Sequence, residues 1–122
     1  MQVFHEGDKS YAYGGKFTGP VQLEMMQESP REGSPDVARV HFESGAVTNW
    51  HQHPGGQLLY LVSGTGRVGQ AADVHAGLQP GTLVDTPPDE AHWHGADDGA
   101  DAVWLAITWG VTSWTDDAPA CT

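Results

Sequence analysis

Two histidine pairs, His51-x-His53 and His92-x-His94, constrain this chain more than any other feature. Each pair lies beside a Pro-containing turn and repeats at the two-residue period of an extended strand. Successive side chains of a strand point to opposite faces, so His51 and His53 share one face. Gln57 joins them if the short turn Pro54, Gly55 and Gly56 keeps or restores that parity, which glycine's freedom to kink allows. His92 and His94 share a face in the same way within PPDEAHWHGA, and this second stretch is the natural source of a fourth metal-capable group. Glu90 has the parity of His92 and is the alternative carboxylate donor, although it sits in the turn. Imidazoles and an amide oxygen suit a divalent first-row metal such as Mn, Fe, Zn, Ni or Co. No thiol lies nearby to favour a soft metal or an iron-sulfur cluster.

Around these pairs the pattern is that of short strands. Sixteen Gly and eight Pro are spread among aromatic and branched residues, and no segment sustains a helical period. Val3 and Phe4 are expected to begin an edge strand. YAYGGKFTGP is a Gly-rich connection whose Tyr11, Tyr13 and Phe17 could cover a barrel mouth. Val21 to Met26 reads as a strand, with Val21, Leu23 and Met25 on one face, and QESPREGSPD as a loop. Val37 to Glu43 alternates, with Ala38, Val40 and Phe42 opposite Val37, Arg39 and His41. Leu58 to Val62 and Arg67 to Ala71 flank a GTG turn as a hairpin. Thr82 to Thr86, Ala91 to Ala96, Ala102 to Trp109 and a short Val111 to Trp114 complete an all-β sandwich or barrel. In Ala102 to Trp109, Trp104, Ala106 and Thr108 form a small and polar face suited to lining a cavity, whereas Val103, Leu105 and Ile107 make the other face apolar. Trp50 and Trp93, opposite the histidines, read as core or interface. His5, His41 and His75 read as solvent-facing.

Length and charge narrow the class of function. At 122 residues the chain is expected to form one domain. A net charge of −11 with five Lys and Arg disfavours nucleic acid or an anionic membrane as partner, since both are bound through basic patches. The single Cys121 excludes an internal disulfide and, near the chain end, makes a poor nucleophile. MQVFHEGDKS has no basic region followed by an apolar run, so the cytoplasm is the expected compartment.

The spacing of Gly45, His51, His53, Gln57 and Gly64, followed by Gly81, Pro87 and His92, resembles the two motifs of the cupin family. The resemblance implies a jelly-roll barrel, the double-stranded β-helix, as a single domain over 1–122 with its metal-binding core at 45–96. It implies one divalent metal held by His51, His53, Gln57 and His92. Three positions depart from the usual motif: Gln57 replaces an acidic ligand, Asp89 a glycine and Ala96 an asparagine. Asp tolerates the left-handed backbone better than most residues, so Asp89 is a mild change. Gln57 removes a negative charge from the ligand set, which leaves a bound metal a stronger Lewis acid and lowers the expected metal affinity.

The run from Trp50 to Gly66, with KFTGPV before it and PPDEAHWHGA after it, is similar to small bacterial cupins that include hydroxynitrile lyases with a three-His, one-Gln manganese or iron site. That similarity implies cleavage or formation of a cyanohydrin carbon–carbon bond, with His94 as the catalytic proton-handling residue. Counting from His92, the position where those lyases carry a second such histidine is Trp104 here. Cupin-type polyketide cyclases share a three-His, one-Gln zinc site, and an oxygenase or a ligand-binding cupin are the further alternatives. A small organic substrate is expected in a cavity lined by Met25, Val40, Phe42, His94, Trp104 and Ala106. The N-terminal strand offers an edge for a symmetric homodimer.

Overall fold

The computed structural model describes residues 1–5, the backbone of 10–12, and 16–120. Tyr13, Cys121 and the side chain of Tyr11 lie outside the described residues. Two antiparallel sheets face each other as a jelly roll. The six-stranded sheet runs β1 (Ser10–Ala12), β2 (Val21–Gln27), β3 (Asp36–Phe42), β10 (Ala102–Thr108), β5 (Gln57–Gly64) and β8 (Leu83–Thr86). The five-stranded sheet runs β11 (Ser113–Trp114), β4 (His51–Gln52), β9 (His92–Ala96), β6 (Gly66–Gln70) and β7 (Asp73–Leu78).

The alternation read from the sequence is what fills the space between the sheets. On β3, Ala38, Val40 and Phe42 are buried while Val37, Arg39 and His41 are half-buried on the far face. On β10, Ala102, Trp104, Ala106 and Thr108 point inward, and on β5 Leu59 and Leu61 meet them. Phe42, Leu61, Trp104 and Ala96 are all but fully buried and close one end of the barrel. The rows then shrink toward the other end, where Ala38, Ala106 and Thr108 leave room between the sheets. That change in side-chain size along β3 and β10 opens the cavity described below.

Three expectations need correction, and one strand had no counterpart among them. The first strand is Ser10–Ala12, paired with Leu23 to Met25, and not Val3 with Phe4, which are exposed and outside any ladder. β5 and β6 do not form a hairpin across GTG: β5 pairs with β10 and β8, and β6 with β9 and β7. Thr65 is a corner between sheets, held by its amide to the Asp101 carbonyl at 3.0 Å. The hairpin partner of β6 is β7, which passed unnoticed because its turn is Ala71 and Ala72, without turn residues, and its side chains are mostly exposed. Phe42 and Trp104 do not line the cavity. They back it, with Trp104 Nε1 donating to the Gly95 carbonyl at 2.9 Å.

Trp93 is buried on the face of β9 opposite its histidines, with Arg67 stacked 5.6 Å from its ring, as a core residue should be. Gly95, between His94 and Ala96, lets Ala46 and Val47 cross close over the strand. A Cβ there would lie 2.4 Å from the Ala46 carbonyl oxygen and 2.6 Å from the Val47 Cα. Because those obstacles are backbone, Gly95→Ala is expected to lower unfolding stability by about 1–3 kcal/mol in urea titration. An unchanged midpoint would mean that this crossing is looser than described.

Candidate metal centre

β4, the turn after it, β5 and β9 bring His51, His53, Gln57 and His92 to one point inside the barrel. His51 and His92 are directly opposite each other in the β4–β9 ladder. The Asp89 amide donates to the His53 carbonyl at 2.8 Å, which ties the two motifs together, and Asp89 takes a φ of 62° as the left-handed glycine position requires. One nitrogen from each of His51, His53 and His92 lies within 4.8 Å of the others, and all three residues are buried. His92 Nε2 is 3.0 Å from Gln57 Oε1.

The outer ring of hydrogen bonds shows which atoms face inward. His51 Nδ1 lies 2.8 Å from the Asn49 carbonyl and His92 Nδ1 3.0 Å from the Glu90 carbonyl. A carbonyl only accepts, so His51 carries its proton on Nδ1 and its lone pair on Nε2. His92 faces an acceptor oxygen at each nitrogen, and with its one proton on Nδ1 toward Glu90 its Nε2 lone pair meets Gln57 Oε1, an approach of two acceptors that a cation between them would relieve. His53 Nδ1 is 2.9 Å from Thr112 Oγ1, and its buried Nε2 has no hydrogen-bond partner among the described residues. Gln57 Nε2 donates to Thr108 Oγ1 at 2.9 Å, which turns Oε1 toward His92. With His92 and His53 also protonated on Nδ1, lone pairs of three imidazoles and one amide point at a common centre. Such a set fits a divalent cation of intermediate hardness and leaves His53 Nε2 stranded without one. Glu90, the alternative carboxylate, enters through its backbone oxygen instead.

Electrostatics agree. Burial, followed by the closeness of His92, holds the His51 pKa down to about 3 from an ordinary 6.5. The same two causes hold His53 down to about 4. His92 is lowered by burial against the opposing pull of Glu90, and His94 is well below the ordinary value through burial and then its neighbours His51, His92 and His53. All four are neutral imidazoles at pH 7.

His94 stands beside this cluster, its ring centroid 5.5 Å from that of His51, with edge contacts to Phe42 and Trp104. Its Nδ1 is buried and without a hydrogen-bond partner among the described residues. A cavity of about 110 Å³ adjoins His51, His53, Gln57 and His94. Met25, Val40 and Ala106 line it as expected, Phe17 and Trp114 stand across it with centroids 5.9 Å apart, and Thr48, Thr108 and Thr112 add hydroxyls. Among the described residues Asp36 is its one carboxylate, an acceptor for the Ser29 amide. The signal for Asp36 was present in the sequence, since it continues the inward row of Ala38 and Val40. None existed for Thr112, which lies outside the strands.

In the unfolded chain these imidazoles take up protons near pH 6.5, whereas His51 and His53 in the folded, metal-free chain resist until about pH 3 to 4. The unfolded state thus binds more protons in that window, and stability falls as pH falls. The metal-free protein is expected to lose on the order of 1–3 kcal/mol between pH 6.5 and 5, above the range where exposed carboxylates titrate. Urea midpoints that stay flat over this interval would contradict the buried neutral cluster.

The cupin domain family model matches residues 38–108. Over 109 residues the chain is 37% identical to an (R)-mandelonitrile lyase of Granulicella tundricola, covering 88% of this chain and 83% of that protein. The crystal structure of a cupin-like protein from Thermotoga maritima superposes with a TM-score of 0.82 at 32% identity, over 91% of this chain and 87% of that one. The polyketide cyclase RemF from Streptomyces resistomycificus is alike in fold alone, with a TM-score of 0.72 at 14% identity over 88% and 78% of the two chains. Matching motifs, topology and a relative this similar over most of both chains together make this chain a member of the cupin family.

Proposed function

We propose that the protein is a metal-dependent lyase that cleaves or forms the carbon–carbon bond of a small cyanohydrin. The observation that carries this reading is the ring of four inward lone pairs next to a cavity that also holds a neutral histidine, His94. Similarity to a mandelonitrile lyase supports the substrate class. His51, His53, Gln57 and His92 would hold one divalent ion, manganese, iron or zinc foremost. Such an ion supplies Lewis acidity toward a bound oxygen, undiminished by any carboxylate in the ligand set.

The remaining chemistry belongs to the chain. Phe17, Leu23, Met25 and Trp114 shape an apolar chamber for the organic part of the substrate and exclude water from it. His94, held neutral by burial, accepts the hydroxyl proton as the carbon–carbon bond breaks and the carbonyl forms, then passes it to the departing cyanide, which leaves as hydrogen cyanide; addition runs the same transfers in reverse. Trp104 takes no part in proton transfer because its one N–H is committed to the Gly95 carbonyl. His94 is thus the histidine left to move the proton, and His94→Ala is expected to lower kcat by about 100-fold or more without loss of bound metal.

The test is release of benzaldehyde from racemic mandelonitrile by protein loaded with manganese, iron or zinc in turn. The lyase reading predicts turnover without dioxygen, surviving replacement by zinc, and abolished with metal binding in His53→Ala but not in His41→Ala. Turnover that requires dioxygen and a redox-active metal would instead establish an oxygenase. Absence of turnover with every metal would leave a ligand-binding cupin.

A further inference from the structure

The three imidazoles of the cluster are not oriented in the same way. His51 and His92 are each turned by a backbone carbonyl two residues earlier in their own strand segment, Asn49 and Glu90. These bonds form whenever the local chain is folded. His53 is turned by a side chain 59 residues away, Thr112, at 2.9 Å. A carbonyl can only accept, but a hydroxyl can donate or accept, so at His53 the tautomer depends on how the Thr112 hydroxyl is placed.

Thr112 is placed by the segment 109–117, which straps across β4. At one end, the Gly55 amide donates to the Trp109 carbonyl at 3.0 Å and the Trp109 amide to the Gly56 carbonyl at 3.1 Å. This interlocks the strap with the turn between His53 and Gln57, so tightly that a Cβ on Gly55 would lie 2.5 Å from the Trp109 Cβ. At the other end, Ser113 and Trp114 pair with Gln52 and His51, and Thr115 donates to the Trp50 carbonyl through both its amide, at 3.1 Å, and its hydroxyl, at 2.8 Å. Trp50 returns its amide to the Asp117 carbonyl at 3.0 Å. The strap also carries Trp114, whose ring lies 4.4 Å from that of His51.

We propose that Thr112 is a positioning residue which, by accepting the Nδ1 proton of His53, holds His53 Nε2 as a lone pair directed at the metal centre, and so links seating of the 109–117 strap to metal binding. The inference rests on the metal-site reading above. Its mechanism is that the buried His53 Nε2 has no hydrogen-bond partner among the described residues, so a bound cation and a correctly seated Thr112 favour the same ring orientation and tautomer. By thermodynamic reciprocity, whatever tightens the strap tightens the metal and the reverse.

Chelator competition with cobalt(II) or zinc(II) tests it directly. Thr112→Val is expected to bind metal about 10- to 100-fold more weakly than the unaltered protein, with Thr112→Ser, which keeps the hydroxyl, within about threefold. Thr112→Ala, which removes the hydroxyl without adding a second methyl, should follow Thr112→Val. Metal should slow amide exchange of Trp50 and Thr115 in the unaltered protein and do so less in Thr112→Val. If Thr112→Val and Thr112→Ala lower the thermal midpoint of the metal-free protein yet bind metal as the unaltered protein does, Thr112 is only a prop for the strap and the proposal fails. Failure of the unaltered protein to bind either metal would instead remove the ligand assignment beneath it.

Discussion

The structure depends on a buried cluster of inward acceptors, of which His53 Nε2 finds no hydrogen-bond partner among the described residues. Three buried imidazoles are turned so that their outer nitrogens bond outward, and Gln57 is turned by Thr108 so that its oxygen joins the inner nitrogens. Without a cation the arrangement is costly, since His53 Nε2 finds no donor and burial keeps His51 and His53 from taking protons until pH 3 to 4. It persists because β-ladder pairing of His51 with His92, and the bond from Asp89 to His53, define positions of these donors independently of anything bound. A site of this kind is preorganised: the fold bears the cost of bringing the donors together before a ligand arrives.

The rest of the barrel serves that arrangement. Large side chains at one end, Phe42, Leu61 and Trp104, fill the space between the sheets. Small ones at the other, Ala38, Ala106 and Thr108, leave the cavity beside the ligands. The cavity is apolar except where it meets the cluster, the threonines and Asp36, so a small organic molecule entering it loses water on one side and meets oriented polar atoms on the other. His94 joins the two regions, belonging to the ligand strand β9 but packing against Phe42 and Trp104.

Much of this was legible in the sequence because strand periodicity is local. The inward rows of β3, β5 and β10, the shared face of His92 and His94, and the left-handed tolerance of Asp89 all follow from neighbours in the chain. What escaped depends on partners far apart. GTG looks like a hairpin turn, yet which strand pairs with β6 is decided across the barrel, and β7 reached its place through a turn of two alanines. Trp104 read as a cavity residue because its face carries Ala106 and Thr108, but distance from the mouth, not parity, decides which members of that row meet the cavity. Thr112 lies outside any strand and is brought to His53 by the strap crossing β4. Its part was invisible in the sequence.

X-ray absorption at the metal edge of protein loaded with one equivalent of cobalt(II) tests the central claim most directly. The account predicts a stoichiometric ion whose first shell holds three imidazole nitrogens and light oxygen donors, with no sulfur. Substoichiometric binding, or a shell with fewer than three imidazoles, would contradict it.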